Sequence, residues 1–212
     1  MRKFAPSRDM EQSDKDAGAM RTRILDTAET LLRRHGLEKL TVVDVARVLK
    51  MSHGNVYRHV PSKSALRAEV IERWLDRVSD QTNAIATQEG PADARFREWL
   101  TVLAVIKQRK ITDDAEMLAA AIHVVEESPA VLKDHSERLT SQLAKILNDG
   151  LVDDTLPGVG DAFSTATIVL DATFRFHHPN LVASGGPAGE QLVALNGVID
   201  LILPTLKAPA RA

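Results

Sequence analysis

The chain has 212 residues, of which 44% are hydrophobic, and its formal net charge at pH 7 is −2. It contains no cysteine, which excludes a disulfide framework, a zinc finger and a thiol nucleophile and fits a reducing cytoplasm. It also contains no run of about 18 apolar residues, so we expect no membrane span. The first residues lack the apolar stretch of a signal peptide.

The charge is distributed unevenly along the chain. Residues 1–77 hold 16 Lys and Arg against 11 Asp and Glu, whereas residues 78–212 hold 11 against 18. Between residues 33 and 67 the count is 8 basic to 2 acidic. A basic module followed by an acidic one is typical of a protein whose first part meets a polyanion.

Residues 1–19 carry many charges, Pro6 and few apolar side chains, and they show no helical period. This pattern predicts a flexible arm. The arm is either a plain tail or a segment through which Arg2, Lys3 and Arg8 reach a nucleic-acid backbone.

The next segment, residues 20–35, predicts an amphipathic helix, because Ile24, Ala28 and Leu32 recur on one face. Gly36 predicts a left-handed end to this helix, with Leu37 packing back against Leu32.

Residues 41–63 predict two short helices joined by a tight turn. Val42 and Val45 lie on one face of the first helix, which Thr41 caps with Asp44 at its third position. The turn is expected to be tight because few residues separate the two periodic segments.

The second short helix runs from about Ser52, its predicted N-cap, to His59. Val56 faces inward, and Gly54 lets another surface approach closely. A helix this short is unstable alone, so its neighbours hold it and its outer face carries the function. This arrangement is typical of a helix-turn-helix that reads a DNA major groove.

These residues carry a family resemblance. The letters TVVDVA from Thr41 and SHGNVYRHVPSKSAL from Ser52 resemble the DNA-binding end of the TetR family of bacterial transcriptional regulators. The likeness extends over about residues 21–78. It departs at the turn, where the family has small-Gly-Val and this chain has Lys50 in the glycine position. A left-handed Lys50 costs about 1 kcal/mol relative to glycine.

The resemblance places base contacts on His53, Gly54 and Asn55. It places phosphate contacts on Tyr57, His59 and Lys63. General chemistry agrees in part, since asparagine bonds adenine bidentately and arginine reaches guanine. Hydroxyl residues at helix N-termini add backbone contacts to phosphate. For Tyr57 the alternative is a core-edge aromatic, and for His59 a local cap. The predicted DNA-binding residues are Thr41, Ser52, His53, Gly54, Asn55, Tyr57, Arg58, His59, Ser62 and Lys63.

A long fourth helix follows, from Ser62 to about residue 86, with a buried stripe that includes Leu66, Val70 and Trp74. It reaches from the basic into the acidic half of the chain, so it is positioned to transmit a movement from one half to the other. We therefore expect a flexible arm, a helix-turn-helix domain and an effector-binding and dimerisation domain, with the bounds 1–19, 20–66 and 67–212.

After residue 91 only helical periods are present, which predicts an all-α protein of about nine helices. The later helices are expected at residues 93–110, 113–126, 128–149, 161–177 and 189–206. The last two are apolar nearly all round, which indicates an interior or an interface. The resemblance implies a homodimer formed by these two helices, although burial within one protomer explains the pattern as well. The faces proposed for the contact are Val169, Leu170, Thr173, Val198, Ile199 and Ile202.

The resemblance also implies a small apolar ligand, enclosed by the C-terminal helices, whose binding moves the fourth helix. For every pocket candidate the alternative is a place in the plain core. These candidates are Trp99, Leu103, Met117, Ile122, Phe163, Phe174 and Phe176.

We expect no cofactor and no metal ion. A metal cluster is the weaker hypothesis, because the spacing of its residues is poor and an adjacent histidine pair before proline is typical of a helix end. Its members would be His123, His135, His177 and His178 with Glu126 and Asp134.

The favoured function is a repressor that leaves a palindromic operator when its ligand binds. Two rivals stay open, a helical-bundle enzyme and a non-specific DNA-binding protein. The sequence lacks the Glu-x-x-His pairs of di-iron bundles, a zinc-protease helix, a phosphate-binding loop and a Gly-x-Ser-x-Gly elbow. Neither rival explains the helix-turn-helix pattern.

Overall fold

The computed structural model describes residues 8–209, and within that range all regular structure is helical. The all-α prediction is confirmed, with ten α-helices where about nine were expected. The α-helices are α1 (Arg8–His35), α2 (Val42–Leu49), α3 (His53–Tyr57), α4 (Lys63–Thr87), α5 (Ala92–Asp113), α6 (Ala115–Glu127), α7 (Pro129–Val152), α8 (Ala162–Ala172), α9 (Pro179–Ser184) and α10 (Ala188–Lys207).

The first helix corrects the predicted arm. α1 begins at Arg8 instead of residue 20, so residues 8–19 are helical. The described residues in its early turns, such as Ala17 and Ala19, are exposed. The described side chains of this end, residues 16–19, are exposed and give no apolar period, so the periodicity did not locate it. The proposed contacts of Arg2 and Lys3 lie outside the described residues.

The predicted helix at 161–177 was too long. α8 ends at Ala172, where the Thr173 hydroxyl donates to the Val169 carbonyl at 2.8 Å, and a short 3₁₀ turn follows at Phe174–Phe176. Pro179 then starts α9, because the residue before a proline avoids the helical conformation and proline suits a first helical turn. This short helix accounts for the additional element.

Two hydrophobic cores lie along the chain, and α4 contributes to both. The N-terminal core contains α1 to α3, the first half of α4 and the buried face of α6, including Met117 and Val124. The C-terminal core contains the second half of α4 with α5, α7, α8 and α10. On α4 the change falls between Leu75 and Val78. One rigid helix therefore connects the two cores, whereas the domain bounds remain a prediction.

A polar cluster ties the two cores together at α4, and we call Arg33, Trp74, Lys110 and Asp114 the junction cluster. The Trp74 indole N–H donates to the Asp114 carboxylate at 2.7 Å, and Arg33 of α1 pairs with the same carboxylate. Lys110 Nζ donates to the Trp74 carbonyl at 3.1 Å and lies over the indole ring. Burial lowers the pKa of Lys110 to about 6. The cluster thereby bonds α1 and α4 to α5 and to the residue between α5 and α6.

A second contact between α1 and α4 centres on Glu29. Arg77 Nη2 donates to its carboxylate at 2.6 Å and Arg33 at 2.8 Å. Burial alone would raise the pKa of Glu29, but these two hydrogen bonds outweigh burial and hold the pKa below its usual value.

Among the described residues, no helix combines the length and hydrophobicity that crossing a membrane requires.

Candidate DNA-binding surface

Three hydroxyl residues cap the helices of the helix-turn-helix segment as predicted. The Thr41 hydroxyl oxygen accepts from the Asp44 N–H at 3.1 Å, and the Ser52 and Ser62 hydroxyls cap α3 and α4 in the same way. Thr41 also donates to the Asp44 carboxylate and so holds the pKa of Asp44 below its usual value. Each cap contributes about 1 kcal/mol to the helix that it starts.

The turn between α2 and α3 is left-handed at Lys50, with φ 53° and ψ 43°. The conformation that glycine adopts most easily is therefore kept in this chain without glycine. The Met51 N–H donates to the Ala46 carbonyl at 3.0 Å and closes the turn. The Lys50 side chain is exposed and is available to an anion.

The recognition helix is shorter than predicted. α3 spans His53–Tyr57, and Arg58 and His59 lie in the turn after it. Within α3 only Val56 is buried. A Cβ added at Gly54 would meet no atom within 4 Å, so this face is open. The helix is thus anchored by one side chain and displays the others.

Asn55 and Arg58 do not act as separate groups in the free protein. The Arg58 guanidinium donates to the Asn55 side-chain oxygen. That oxygen is the atom that would accept from adenine N6, whereas the amide nitrogen would donate to N7. This oxygen has two lone pairs, so base reading by Asn55 either shares it with Arg58 or displaces the guanidinium, which then becomes available for its own contact.

Tyr57 and His59 lie in different surroundings. Tyr57 is 48% exposed, so its ring is not part of the core edge. His59 is partly buried, and its backbone carbonyl accepts from Arg21 of α1. Arg21 also pairs with Glu69 of α4 at 2.7 Å. This link holds the α3–α4 turn against α1 and fixes the orientation of α3.

The basic residues around α3 fall into two groups. In the part of the chain that the structure describes, the exposed Lys39, Lys50 and Lys63 have no carboxylate partner. Arg33 and Arg47 are engaged in ion pairs with acidic neighbours. The lysines therefore carry the free positive charge that phosphates attract.

Arg67 is a structural residue that the sequence reasoning missed. It is 7% exposed, and its Nη2 donates to the Leu37 carbonyl at 2.7 Å. This bond holds the loop before α2 against α4. The available signal was a charge on the buried stripe of a helix, between Leu66 and Val70.

The predicted ligand-pocket residues do not line one cavity. Trp99, Leu103 and Phe176 are buried in the C-terminal core, whereas Met117 is buried in the N-terminal core. The remaining three are on the surface, with exposed fractions of 43% for Ile122, 51% for Phe163 and 45% for Phe174.

The histidines of the metal hypothesis are also dispersed. His123 is exposed and His135 is buried on another helix, while Glu126 and Asp134 face solvent. Among the described residues no three His, Asp or Glu side chains are positioned to hold a metal ion.

The last long helices expose apolar side chains that differ from those proposed for the contact. Val169, Thr173 and Ile199 are buried within the protomer, which corrects that assignment. Leu170, Val198 and Ile202 are partly buried. The residues that define the exposed α8–α10 face are Phe163, Ile168, Val193 and Leu201, with exposed fractions from 51% to 78%.

Family comparisons agree with the geometry of the helix-turn-helix. Residues 24–70 match the family model described as bacterial regulatory proteins, tetR family, and residues 92–190 match the tetracyclin repressor-like C-terminal domain. This chain belongs to the TetR family. As a TetR-family protein, it is a transcriptional regulator with a helix-turn-helix DNA-binding segment.

Among its relatives is the HTH-type transcriptional repressor KstR2 of Rhodococcus jostii, 28% identical over 156 residues, which are 74% of this chain and 73% of KstR2. The fold resembles that of a putative TetR-family regulator from Mesorhizobium loti, with a TM-score of 0.68, 16% identity and coverage of 89% and 96% of the two chains. It also resembles SmeT, the repressor of the Stenotrophomonas maltophilia multidrug efflux pump SmeDEF, with a TM-score of 0.60, 17% identity and coverage of 92% and 100%.

Proposed function

We propose that this TetR-family protein is a repressor that binds a palindromic operator as a homodimer and leaves it when a small molecule binds the C-terminal helices. The observation that carries the proposal is α3, which buries only Val56 and displays His53, Asn55 and Tyr57 beside unpaired lysines. A regulator of this kind works where the DNA lies, so we place it in the cytoplasm.

Two-fold symmetry follows from the size of the reading surface. A helix of five residues contacts few bases, so tight specific binding needs two copies on half-sites about one helical turn apart. The exposed α8–α10 face is the surface that we assign to the dimer, because Val193 and Leu201 are 75% and 78% exposed in the protomer.

Release by a ligand is supported by the way α4 joins the two cores. The junction cluster bonds α1 and α4 to the segment between α5 and α6. A ligand that binds better when α4 has moved shifts the protein toward that state, and DNA weakens ligand binding by the same factor. A structure of SmeT contains triclosan, so a protein of this fold accommodates a small aromatic molecule.

The experiment that tests this function is selection of bound duplexes from a random pool by the full-length protein at near-physiological salt. We expect a two-fold symmetric sequence to be enriched. Enrichment of no motif, with binding that disappears as salt is added, would contradict the proposal and favour a non-specific DNA-binding protein.

A further inference from the structure

Lys107 lies on a face of α5 where apolar side chains are expected. It follows Ile106, which is buried, and lies four residues after the buried Leu103. Burial lowers the pKa of Lys107 to about 8. A charged amine in such a position costs free energy unless a partner compensates for the lost water.

The partner that the protein provides for Lys107 is neutral. Its Nζ lies 3.2 Å from Nε2 of His135, and Nδ1 of His135 lies 3.3 Å from the Ser79 hydroxyl. Burial, and then the charge of Lys107, lower the pKa of His135 to about 2, so the ring is uncharged and Nε2 accepts from the ammonium. The remaining N–H bonds of Lys107 are unused.

No carboxylate of the described residues forms an ion pair with Lys107. After burial, the largest effects on the pKa of His135 come from basic groups, with Lys107 first and then Arg138 and Lys110. Arg138 is paired with Asp76 at 2.8 Å on the outside of α7. The interior at this point therefore carries an uncompensated positive charge.

Two further histidines lie immediately before α9, a helix that packs against α5. Burial, and to a smaller extent the charge of Lys107, lower the pKa of His177 to about 4, against the opposing effect of its hydrogen bond with the Leu170 carbonyl. Nε2 of His177 lies 3.0 Å from the Leu170 carbonyl, whereas Nδ1 of His178 is buried without a hydrogen-bond partner. Lys107, His177 and His178 are each partly exposed.

We infer that Lys107, with His177 and His178 at its margin, binds a singly charged oxyanion such as the carboxylate of a small apolar molecule. The inference rests on the proposed effector site and adds the chemistry of the effector. One cation beside the neutral His135 ring matches one negative charge, and the exposed Phe174, whose ring packs against that of His178, offers an apolar surface for the rest of the molecule.

The test compares each of three carboxylates with its amide: hexanoate, decanoate and 4-phenylbutyrate. Their affinity for the full-length protein is measured by calorimetry at pH 7. We expect at least one carboxylate to bind about tenfold or more tightly than its amide, because a charge-assisted bond to Lys107 replaces a neutral one.

Variants assign the preference to Lys107. Lys107→Met should bind the carboxylate no better than the amide, whereas Lys107→Arg, which keeps the charge, should retain a preference. Lys133→Met is the matched control, because Lys133 is a lysine on the surface of α7 and should leave both affinities unchanged.

The wild-type protein provides an independent pH test. Carboxylate binds the ammonium form of Lys107, so affinity should fall as pH rises through about 8. His135 and His177 are uncharged across this step, because burial lowers their pKa values to about 2 and about 4, and Lys110 has lost its charge before it, because burial lowers its pKa to about 6. The amide should show no such loss.

Equal affinities for carboxylate and amide in all three pairs would overturn the inference, as would an unchanged preference in Lys107→Met or a carboxylate affinity that is constant to pH 9.5. Failure of the proposed function is distinguishable, because it is measured by duplex selection without carboxylate. If the protein selects an operator but binds no carboxylate in preference to its amide, only this inference fails and the proposed function stands.

Discussion

The two ends of the molecule differ in where they place charge. Around α3 the charges are outside, with Lys39, Lys50 and Lys63 exposed and unpaired in the described chain. In the C-terminal region Lys107 is partly buried beside the neutral His135, while the exposed α8–α10 face is apolar. The first arrangement suits a polyanion in water, and the second suits a partner protein on the surface and a small anion within.

The largest effect is expected from a substitution on the exposed α8–α10 face. Leu201→Glu places a charge in the centre of the α8–α10 face, so it should give a monomer and lower operator affinity about a hundredfold or more, because the second half-site no longer binds cooperatively. Sedimentation velocity and DNA titration measure both effects. Leu132→Glu is the control, because Leu132 is also an exposed leucine but lies on α7. A Leu201→Glu dimer would show that this face is not the interface.

The polar side is tested at Asn55. Asn55→Ala should lose about 1–3 kcal/mol on the selected operator and little on random duplexes, since it removes a base contact and no phosphate contact. Its fold should remain intact, because the α3 cap uses the Asn55 backbone N–H. Fluorescence anisotropy with both duplexes measures the loss. Equal losses on the two DNAs would rule out base reading by this residue.

The connection between the two ends is tested at Asp114. Asp114→Ala leaves the indole N–H of Trp74, which is 3% exposed, without its acceptor and should reduce the free energy of unfolding by about 1–3 kcal/mol. Urea denaturation measures this change. Asp113→Ala is the matched control, because that carboxylate bonds only the neighbouring Thr112 hydroxyl. If the two variants lose the same stability, the junction cluster does not hold α4.

The smallest expected effect is at Lys63. Lys63→Ala should weaken binding to all duplexes similarly and reduce the slope of log affinity against log salt by about 1, because one phosphate contact is lost. Titrations at several salt concentrations measure the slope. Lys133→Ala should leave the slope unchanged, and an unaltered slope in Lys63→Ala would exclude the phosphate contact.

Local rules predicted much of the N-terminal region. Thr41, Ser52 and Ser62 cap their helices, and Gly36 is left-handed with φ 78°, because these features depend on neighbouring residues alone. The period of apolar residues likewise located the long buried helices. In the early part of α1 the described side chains of residues 16–19 are exposed, and these residues gave no period.

The C-terminal region was harder to predict, because residue type does not determine burial. Phe163 and Phe174 were expected near a ligand as large apolar side chains, yet both are exposed, Phe163 on α8 and Phe174 in the 3₁₀ turn after it. Arg67 and Lys107 were missed for a related reason. Each lies on a buried stripe, and its partner, the Leu37 carbonyl or His135, is distant in sequence. Only the folded chain shows that these charges are accommodated.

The most direct test of sequence reading by paired α3 helices compares the selected operator with a duplex in which one half-site is scrambled, at fixed near-physiological salt. We predict that two protomers bind the intact site and that scrambling one half costs tenfold or more in affinity, since each mismatched base pair costs about 1–3 kcal/mol. Asn55→Ala should greatly reduce that difference. Equal affinity of the wild-type protein for both duplexes would contradict sequence reading by paired α3 helices.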